Sequence, residues 1–335
     1  MFWRGRGKSE EGVVSSFGDL KSIFKTFWII SMTQEIGTFP FGQPIMKVCQ
    51  SDRTPKKVFI LGVYASAVHA KWFDENEKEK VKALAVDSEP EIFWRGENAK
   101  EIIEEIKIPK GTGRLLPADD KLNGPSGVAL DDRYLIPLGL TRSDVWLCDL
   151  VPHSCRNERQ FAALKREYDP KKDQLQLPEY NWPEVPPELA DTARQAEILD
   201  ELKTASSSVI ITLGDQPLKW FTSKLISKSR LRDYGDTDES YGQVHNFFID
   251  GRPIQLLPLV HPRQAGRLGR YSPKWADRHD KWVKSVAPGL VNLRNIDCNV
   301  LLVFFLLNCF KFLPDLTLQP IRQIFIWHQF RCKRY

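Results

Sequence analysis

The sequence predicts a three-layer, doubly wound α/β fold, in which a mainly parallel four-stranded central sheet is flanked by helices. Residues 57–64, 145–151 and 208–214 form three nearly continuous apolar runs, which are typical of strands covered on both faces. Helical patterns separate these runs, and residues 188–205 place Ala, Ile and Leu on one face. Parallel strands that are joined through helices require right-handed crossovers, which place helices on both faces of the sheet.

The fourth strand is expected in a hairpin near the end of this pattern. Residues 245–249 and 252–260 flank Asp250-Gly251, a dipeptide that supplies the positive φ angles of a tight turn. Two further helices are predicted, one over the Lys- and Glu-rich residues 72–86 and one over residues 273–285. Two segments rich in proline, glycine and charge are predicted to be loops, residues 109–134 and 169–187.

The composition of the chain suggests three regions. We expect an α/β domain over residues 56–286, preceded by an N-terminal extension over residues 1–55 that is in part disordered. Residues 287–335 form a hydrophobic and basic tail, whose apolar run at residues 300–307 is too short to span a bilayer. The tail is open to three interpretations: a buried terminal helix, a membrane-surface anchor, or sequence read outside the true coding frame. Met32 is a plausible alternative start.

The charge and the cysteine content of the chain limit the classes of protein to which it could belong. The formal net charge is +5, but residues 1–31 carry +2 and residues 291–335 carry +4, which leaves −1 for the middle of the chain. A case for nucleic acid therefore rests on local charge clusters. The six cysteines are too sparse for a disulfide scaffold. They form no CxxC pair, which argues against a zinc site or an iron–sulfur site. We expect a monomer without metal or cofactor that is intracellular, either cytoplasmic or in the nucleoid or nucleus, and not secreted.

Three strand ends carry residues suited to chemistry, because ligands of doubly wound sheets bind at the carboxyl ends of the strands. These ends read Gly62-Val-Tyr-Ala-Ser66, Cys148-Asp-Leu-Val-Pro-His153 and Val260-His-Pro-Arg-Gln-Ala-Gly-Arg267. His261 alone would also fit a structural role. Its position after a buried strand, before proline and a glycine–arginine loop, favours an exposed functional role.

The order of these segments resembles the uracil-DNA glycosylase superfamily. The resemblance rests on Gly62-Val-Tyr-Ala65, Leu147-Cys-Asp149, Ile211-Thr-Leu-Gly-Asp215 and Leu259-Val-His-Pro262, and it covers about 230 residues. The loop Gly124-Pro-Ser-Gly127 falls where these enzymes place a wall of the pocket. The resemblance implies base excision, in which a nucleotide is flipped out of the DNA helix and loses its base to hydrolysis.

The resemblance also implies roles for individual residues. His261 matches the histidine that hydrogen-bonds the departing base and stabilises its developing negative charge. Tyr64 and Asp149 complete the predicted catalytic set. The predicted partner is DNA, in single-stranded or mismatched form as one expectation, and the predicted contacts are Gly62, Ser66, Ser126, Pro262, Arg263, Gln264, Arg267, Arg270 and Lys274. Tyr271, Trp275 and Trp282 lie among the basic residues of this last segment, which suits phosphate contacts and base stacking.

Two departures from the family pattern keep the function open. Tyr64 stands where many members carry a residue that positions the attacking water, and a phenol is a poor general base at neutral pH. Asp149 replaces the base-reading asparagine; an ionised carboxylate only accepts hydrogen bonds, which favours a base edge bearing donors. The hypotheses are a glycosylase that does not prefer ordinary uracil, a catalytically inactive nucleic-acid-binding or scaffold protein, and a small-molecule hydrolase or transferase. Convergence of His69 and His261 on one pocket with Asp149 would favour an enzyme.

Overall fold

The computed structural model describes residues 35–119 and 121–294. Met32 and the apolar run at residues 300–307 lie outside the described residues, so their interpretations stay predictions. The described part of the chain is a mixed α/β structure with three separate sheets.

The central sheet contains five strands, one more than the sequence predicted. Four of them are parallel: β3 (Val58–Tyr64), β7 (Val145–Val151), β8 (Val209–Leu213) and β10 (Arg252–Leu259). The fifth, β9 (His245–Ile249), pairs antiparallel with β10 and closes the order β7-β3-β8-β10-β9. The sequence analysis assigned both arms of this hairpin to strands but counted only four strands in the sheet. Asp250 and Gly251 have φ angles of 50° and 75°, as the predicted tight turn requires.

Eight α-helices, several of them a single turn, are found among the described residues. The two longest confirm predicted helices: α5 (Thr192–Ala205) begins at Asp191, whose side chain accepts the N–H of Arg194, and α8 (Pro273–Ser285) matches its predicted bounds. The others are α1 (Ala99–Glu105), α2 (Pro125–Leu130), α3 (Glu158–Ala163), α4 (Lys172–Leu175), α6 (Asp215–Trp220) and α7 (Pro262–Ala265). Packing of α5 on β7 is fixed in part by the Trp146 indole N–H, which donates to Glu201 at 3.0 Å.

The predicted helix over residues 72–86 is wrong. The chain instead forms an antiparallel hairpin of β4 (Ala67–Phe73) and β5 (Glu79–Ser88), which β6 (Arg114–Pro117) extends to a three-stranded sheet. The Asp74 carboxylate accepts the backbone N–H groups of Asn76 and Lys78, both at 3.0 Å, and Glu77 takes a φ of 58°. Such local side-chain bonds favour a turn over a helix, although the composition is that of a helix.

The predicted loops are wrong in part. Residues 109–134 contain β6, α2 and the start of a π-helical turn over Asp131–Leu135, while residues 169–187 contain α4 and a short 3-10 turn over Asp169–Lys171. Residues 35–55, assigned to the N-terminal extension, hold the small sheet of β1 (Glu35–Thr38) and β2 (Pro44–Met46). Phe39, Phe41 and Ile45 from this segment are buried in the same core cluster as the β4–β5 hairpin.

Candidate active site at the carboxyl ends of the sheet

Asp149 and Gly62 are register partners at the carboxyl ends of β7 and β3. A Cβ atom on Gly62 would collide with Oδ1 of Asp149 and would lie 2.7 Å from Cζ of Phe93. Glycine is therefore required here because any side chain would collide with these atoms. The backbone itself does not require glycine, because the φ of Gly62 is not in the left-handed region. Asp149 is 3% exposed, and its Oδ1 has no hydrogen-bond partner within the described residues. A buried oxygen without a partner is rare in a folded protein and marks a position of interest.

Burial changes the protonation of Asp149. Desolvation raises its pKa to about 7, although the positive charge of Arg194 opposes this shift. The Arg194 guanidinium lies on α5 and donates to the backbone oxygen of Asp149 at 2.7 Å. It therefore holds the strand, while Oδ1 of the carboxyl has no hydrogen-bond partner among the described residues. At neutral pH the carboxyl is divided between charged and neutral forms. The fully ionised side chain assumed from the sequence is thus only one of two forms.

Glu89 is a candidate site residue that the sequence analysis missed. It follows β5 directly, is 4% exposed, and its Oε1 accepts the backbone N–H of Ser66 at 3.0 Å. Burial holds the pKa of Glu89 well above its usual range, and the negative charge of Asp149 raises it further. The signal was a glutamate directly after an apolar strand, and the mistaken helix over residues 72–86 concealed that strand.

The segment that covers Asp149 has a strained backbone. Phe93 is buried and takes a φ of 54°, in the left-handed region that phenylalanine rarely adopts. Its ring lies against Gly62, and its backbone oxygen accepts a hydrogen bond from the Arg142 guanidinium at 2.7 Å. Arg142 is held in turn by Asp131, at 2.9 Å from Nε. Positive φ at a buried aromatic residue is a feature that clusters at ligand sites.

His261 lies at the carboxyl end of β10, as predicted. Its Nδ1 accepts the backbone N–H of Arg263 at 3.2 Å, so the ring caps α7 and the neutral form carries its proton on Nε2. Desolvation lowers the pKa of His261 to about 4, and the charge of Arg263 acts in the same direction. A Cβ atom on Gly214, at the exit of β8, would lie 3.3 Å from Cβ of His261. The predicted Leu-Gly turn therefore adjoins the predicted catalytic histidine.

The two halves of the site face one edge of the sheet. Asp149 lies on β7 and His261 follows β10, with β3 and β8 between them. Three strand spacings separate their backbones, which amounts to about 14 Å.

The remaining predicted residues of the first two motifs are more exposed. Tyr64 ends β3 and is 46% exposed, and Ser66 is exposed in the turn before β4. Ser126 is partly buried within α2, which the sequence analysis had placed in a loop. The helix α2 packs against α7, next to Pro262, because Gly266 allows a close approach to Ala129. The predicted pocket-wall segment thus lies beside the His261 loop.

The predicted DNA-binding residues differ in how much of their charge is already neutralised. Arg267 pairs with Asp277 at 2.6 Å and with Asp280 at 2.8 Å, and Lys274 pairs with Asp236 at 2.9 Å. Arg263 and Arg270 are exposed and make no salt bridge within the described part of the chain. The two uncharged residues of this set are less available: Pro262 is buried, and the side chain of Gln264 accepts the backbone N–H of Ser272.

The aromatic residues of this segment differ in how far each side chain is buried. Trp282 is 1% exposed and donates to the backbone oxygen of Gly242 at 3.0 Å, so it belongs to the core. Trp275 is partly buried and packs on the Tyr241 ring, with the Arg278 guanidinium 4.9 Å from its centroid. Tyr271 is 37% exposed. Of the three aromatics, Tyr271 is the most exposed.

His69 does not lie in a helix. It is a residue of β4, its backbone N–H donates to Asn123 at 2.8 Å, and burial lowers its pKa to about 4. Asn123 also lines a depression of about 320 Å³, together with Arg95, Glu97, Pro117 and Val128. None of the predicted site residues lines this depression. Asp149, by contrast, lies in a packed region beneath Phe93.

Comparison with known proteins assigns neither a family nor a function to this chain. No protein-family model matches the chain, and no curated protein matches it. Across residues 35–119 and 121–294, no cluster of three or more His, Cys, Asp and Glu side chains is arranged to hold a metal ion. In the same part of the chain, no helix has the length and apolar character needed to cross a membrane.

Proposed function

We propose that this chain is a DNA glycosylase that flips a damaged or unusual base and hydrolyses its N-glycosidic bond in base-excision repair. Water adds to the sugar carbon as the bond from that carbon to the base nitrogen breaks, and the bonding electron pair leaves with the base. The added water loses one proton and the departing base gains one, so the products are the free base and an abasic sugar. The resemblance to the uracil-DNA glycosylase superfamily motivates the proposal. The four parallel strands of the central sheet are compatible with that arrangement, and β9 is an antiparallel addition at the edge.

The observation that carries the proposal is the orientation of the His261 ring. Because Nδ1 accepts the N–H of Arg263, the neutral ring presents Nε2–H as a donor. The low pKa of about 4 keeps the ring neutral at physiological pH, so Nδ1 stays an acceptor and Nε2–H stays the donor. A donor fixed in advance stabilises the negative charge that develops on a departing base, and one such donor is typically worth about 3 kcal/mol in the transition state.

A second candidate function is nucleic-acid binding without catalysis. The exposed phenol of Tyr64 stands where an acidic residue would position the attacking water, and Arg267 and Lys274 already pair with carboxylates. Catalysis would then have been lost while the binding surface was kept. Arg263 and Arg270 supply exposed positive charge for phosphate contacts under either candidate function.

Single-turnover strand cleavage after alkali separates the two candidates. The full chain is incubated with duplexes that carry uracil, hypoxanthine, xanthine or a mismatched base, alongside His261→Gln and a control, His245→Gln. His245 lies on the edge strand β9, outside the three strand ends of the predicted site. Loss of one base by the parent protein, reduced at least 100-fold in His261→Gln only, establishes a glycosylase. Salt-sensitive DNA binding without base loss favours the second candidate. Absence of both excludes the nucleic-acid proposal.

A further inference from the structure

The hydrolysis proposed above needs a group that takes a proton from the attacking water. His261 is not suited to this task, because its Nδ1 already accepts the N–H of Arg263 and its Nε2 carries the proton of the neutral ring. Tyr64 is a phenol, which is a poor general base at neutral pH. Asp149 lies in a packed region beneath the Phe93 ring. Another carboxyl at this edge of the sheet is therefore needed as the proton acceptor.

Two further carboxyl side chains are buried in the described part of the chain, Glu89 and Glu201. Glu201 lies on α5, where its Oε2 accepts the Trp146 indole N–H at 3.0 Å and its Oε1 lies 3.3 Å from the Arg194 guanidinium. Both of its oxygens are thus used in packing α5 on β7. In Glu89, Oε1 accepts the N–H of Ser66 at 3.0 Å, whereas Oε2 makes no hydrogen bond or salt bridge within the described residues. Glu89 is therefore anchored by one oxygen and keeps the other for a water molecule.

Glu89 reaches the carboxyl end of the central sheet although it follows β5 in the chain. Its partner Ser66 lies in the turn between the end of β3 at Tyr64 and the start of β4 at Ala67. In the sheet, the single strand β8 separates β3 from β10, which His261 follows. Two strand spacings amount to about 10 Å between the backbones of β3 and β10. A proton acceptor and a fixed hydrogen-bond donor thus lie at one edge of the sheet on different strands.

One exposed carboxyl, Asp215, lies at the exit of β8 and competes with Glu89 for this role. Its Oδ1 accepts the N–H of Leu231 at 2.7 Å, and the side chain is exposed. Water stabilises the charge of an exposed carboxylate, which makes it a weaker proton acceptor than a buried one. Burial therefore favours Glu89 over Asp215.

We propose that Glu89 is a catalytic residue that holds the attacking water and takes its proton. The inference rests on the proposed glycosylase function and deepens it, because it assigns water activation to a residue outside the three strand-end segments. The water oxygen bonds to the sugar carbon, and one water proton passes to the Glu89 carboxylate. The bond from the sugar carbon to the base nitrogen breaks, its electron pair leaves with the base, and the base takes a proton from solvent. Glu89 then returns its proton to solvent.

The surroundings of Glu89 strengthen it as a proton acceptor. Desolvation raises the pKa of Glu89 well above its usual range, and the negative charges of Asp149 and Glu91 act in the same direction. The N–H of Ser66 and the positive charge of Arg142 oppose this shift. A general base is more effective when its pKa approaches the working pH. Because only the ionised carboxylate takes a proton, the rate of base loss should rise with pH as Glu89 ionises.

Single-turnover base loss by the full chain tests the inference, with the protein in excess over duplexes that carry uracil, hypoxanthine, xanthine or a mismatched base, between pH 5 and pH 9. Glu89→Gln is nearly isosteric, and its amide oxygen still accepts the N–H of Ser66. We expect this change to lower the rate about 100-fold or more and to remove the rise with pH, while DNA affinity is unchanged. Glu79→Gln, at the exposed start of β5, is the matched control and should keep the parent rate and profile.

Three results would overturn the inference and leave the glycosylase standing. A Glu89→Gln protein with the parent rate excludes a catalytic role, and a slower one that keeps the parent's rise with pH shows that Glu89 serves structure alone. Asp149 also titrates in this range, since its pKa is about 7. The third result is therefore a profile that Asp149→Asn or Asp215→Asn flattens and Glu89→Gln does not. If no duplex loses a base, the proposed function fails, and the role of Glu89 fails with it.

Circular dichroism of Glu89→Gln establishes first that the variant is folded. If it is not, Glu89→Asp takes its place, because this change keeps a carboxyl but shortens its reach by one methylene group. We expect a lower rate whose midpoint on the pH axis moves with the new carboxyl. A Glu89→Asp protein with the parent midpoint would show that another group accepts the proton.

Discussion

The hydroxyl of Tyr241 accepts the backbone N–H of Val260 at 3.0 Å, one residue before His261. Tyr134 completes the arrangement from the other side, where its hydroxyl donates to the backbone oxygen of Val260 at 2.6 Å. Both tyrosines are almost fully buried. Both backbone polar groups of Val260 are therefore held by side chains, which fixes the direction in which the chain leaves β10 toward His261.

The chain of hydrogen bonds extends beyond Tyr241 and determines the tautomer of His279. Since Tyr241 receives the N–H of Val260, its own proton is directed to Nδ1 of His279, at 2.8 Å. Nε2 of His279 then donates to the backbone oxygen of Arg133 at 3.0 Å. Burial lowers the pKa of His279 to about 4, so the chain of bonds contains no charged member at neutral pH.

Tyr241→Phe is expected to destabilise the protein and to slow base loss. The change leaves the N–H of Val260 and Nδ1 of His279 without partners, which costs about 1–3 kcal/mol of unfolding free energy. Urea denaturation at pH 7.5 measures this cost. The matched control is Tyr271→Phe at an exposed position, where we expect a change below about 0.5 kcal/mol.

A role in positioning His261 goes beyond stability. Under conditions where Tyr241→Phe remains folded, the single-turnover rate should be lower while DNA affinity is unchanged. A Tyr241→Phe protein with the parent rate would show that the bond to Val260 serves stability alone.

Asp149→Asn should stabilise the protein more at pH 8 than at pH 5. The pKa of Asp149 is about 7 in the folded protein and near 3.8 when unfolded, so the neutral carboxyl stabilises the fold fully below pH 3.8. That stability is lost as pH rises through 7. The amide does not titrate, so its advantage over the parent should grow by about 2.6 kcal/mol between pH 5 and pH 8.

Urea denaturation at both pH values measures that difference, with Asp173→Asn as an exposed control of the same chemistry. An advantage that is equal at pH 5 and pH 8 would mean that Asp149 has an ordinary pKa in the folded protein.

Most strands of the central sheet could be predicted because each is visible in the sequence as an apolar run. β3, β7 and β8 are buried along nearly their whole length, and uninterrupted apolar runs report that burial directly. The β4–β5 hairpin was mistaken for a helix, since its exposed positions are lysine and glutamate and its turn depends on the Asp74 carboxylate. Glu89 was missed as a consequence. The position of His261 could be predicted because it directly follows a strand that is evident in the sequence. The position of Glu89 could not, because it depends on a hydrogen bond to Ser66, in the turn after β3, that no local sequence pattern indicates.

Gly62→Ala should be costly although glycine at this position has an ordinary φ. The added methyl group would meet Oδ1 of Asp149 and the Phe93 ring in a packed region, and overpacking of this kind costs about 1–3 kcal/mol. Gly289→Ala is the matched control, because a Cβ atom there has no neighbour within 4 Å. Thermal and urea denaturation of the two variants would reveal the difference, and equal stability would show that the region around Asp149 has room to spare.

Arg263→Ala and Lys274→Ala should differ in their effect on DNA binding, although each removes one positive charge. Lys274 is already paired with Asp236, whereas Arg263 makes no salt bridge among the described residues and lies two positions after His261. An arginine that contacts a phosphate releases about one counterion on binding, so Arg263→Ala should reduce the slope of log K against log salt by about 1.

Lys274→Ala should change that slope by much less, because Asp236 already neutralises the lysine. Fluorescence anisotropy with a mismatched duplex, at four or more salt concentrations, measures both slopes. Equal reductions would mean that DNA competes with Asp236 for Lys274, and that the basic surface extends from the His261 loop along α8.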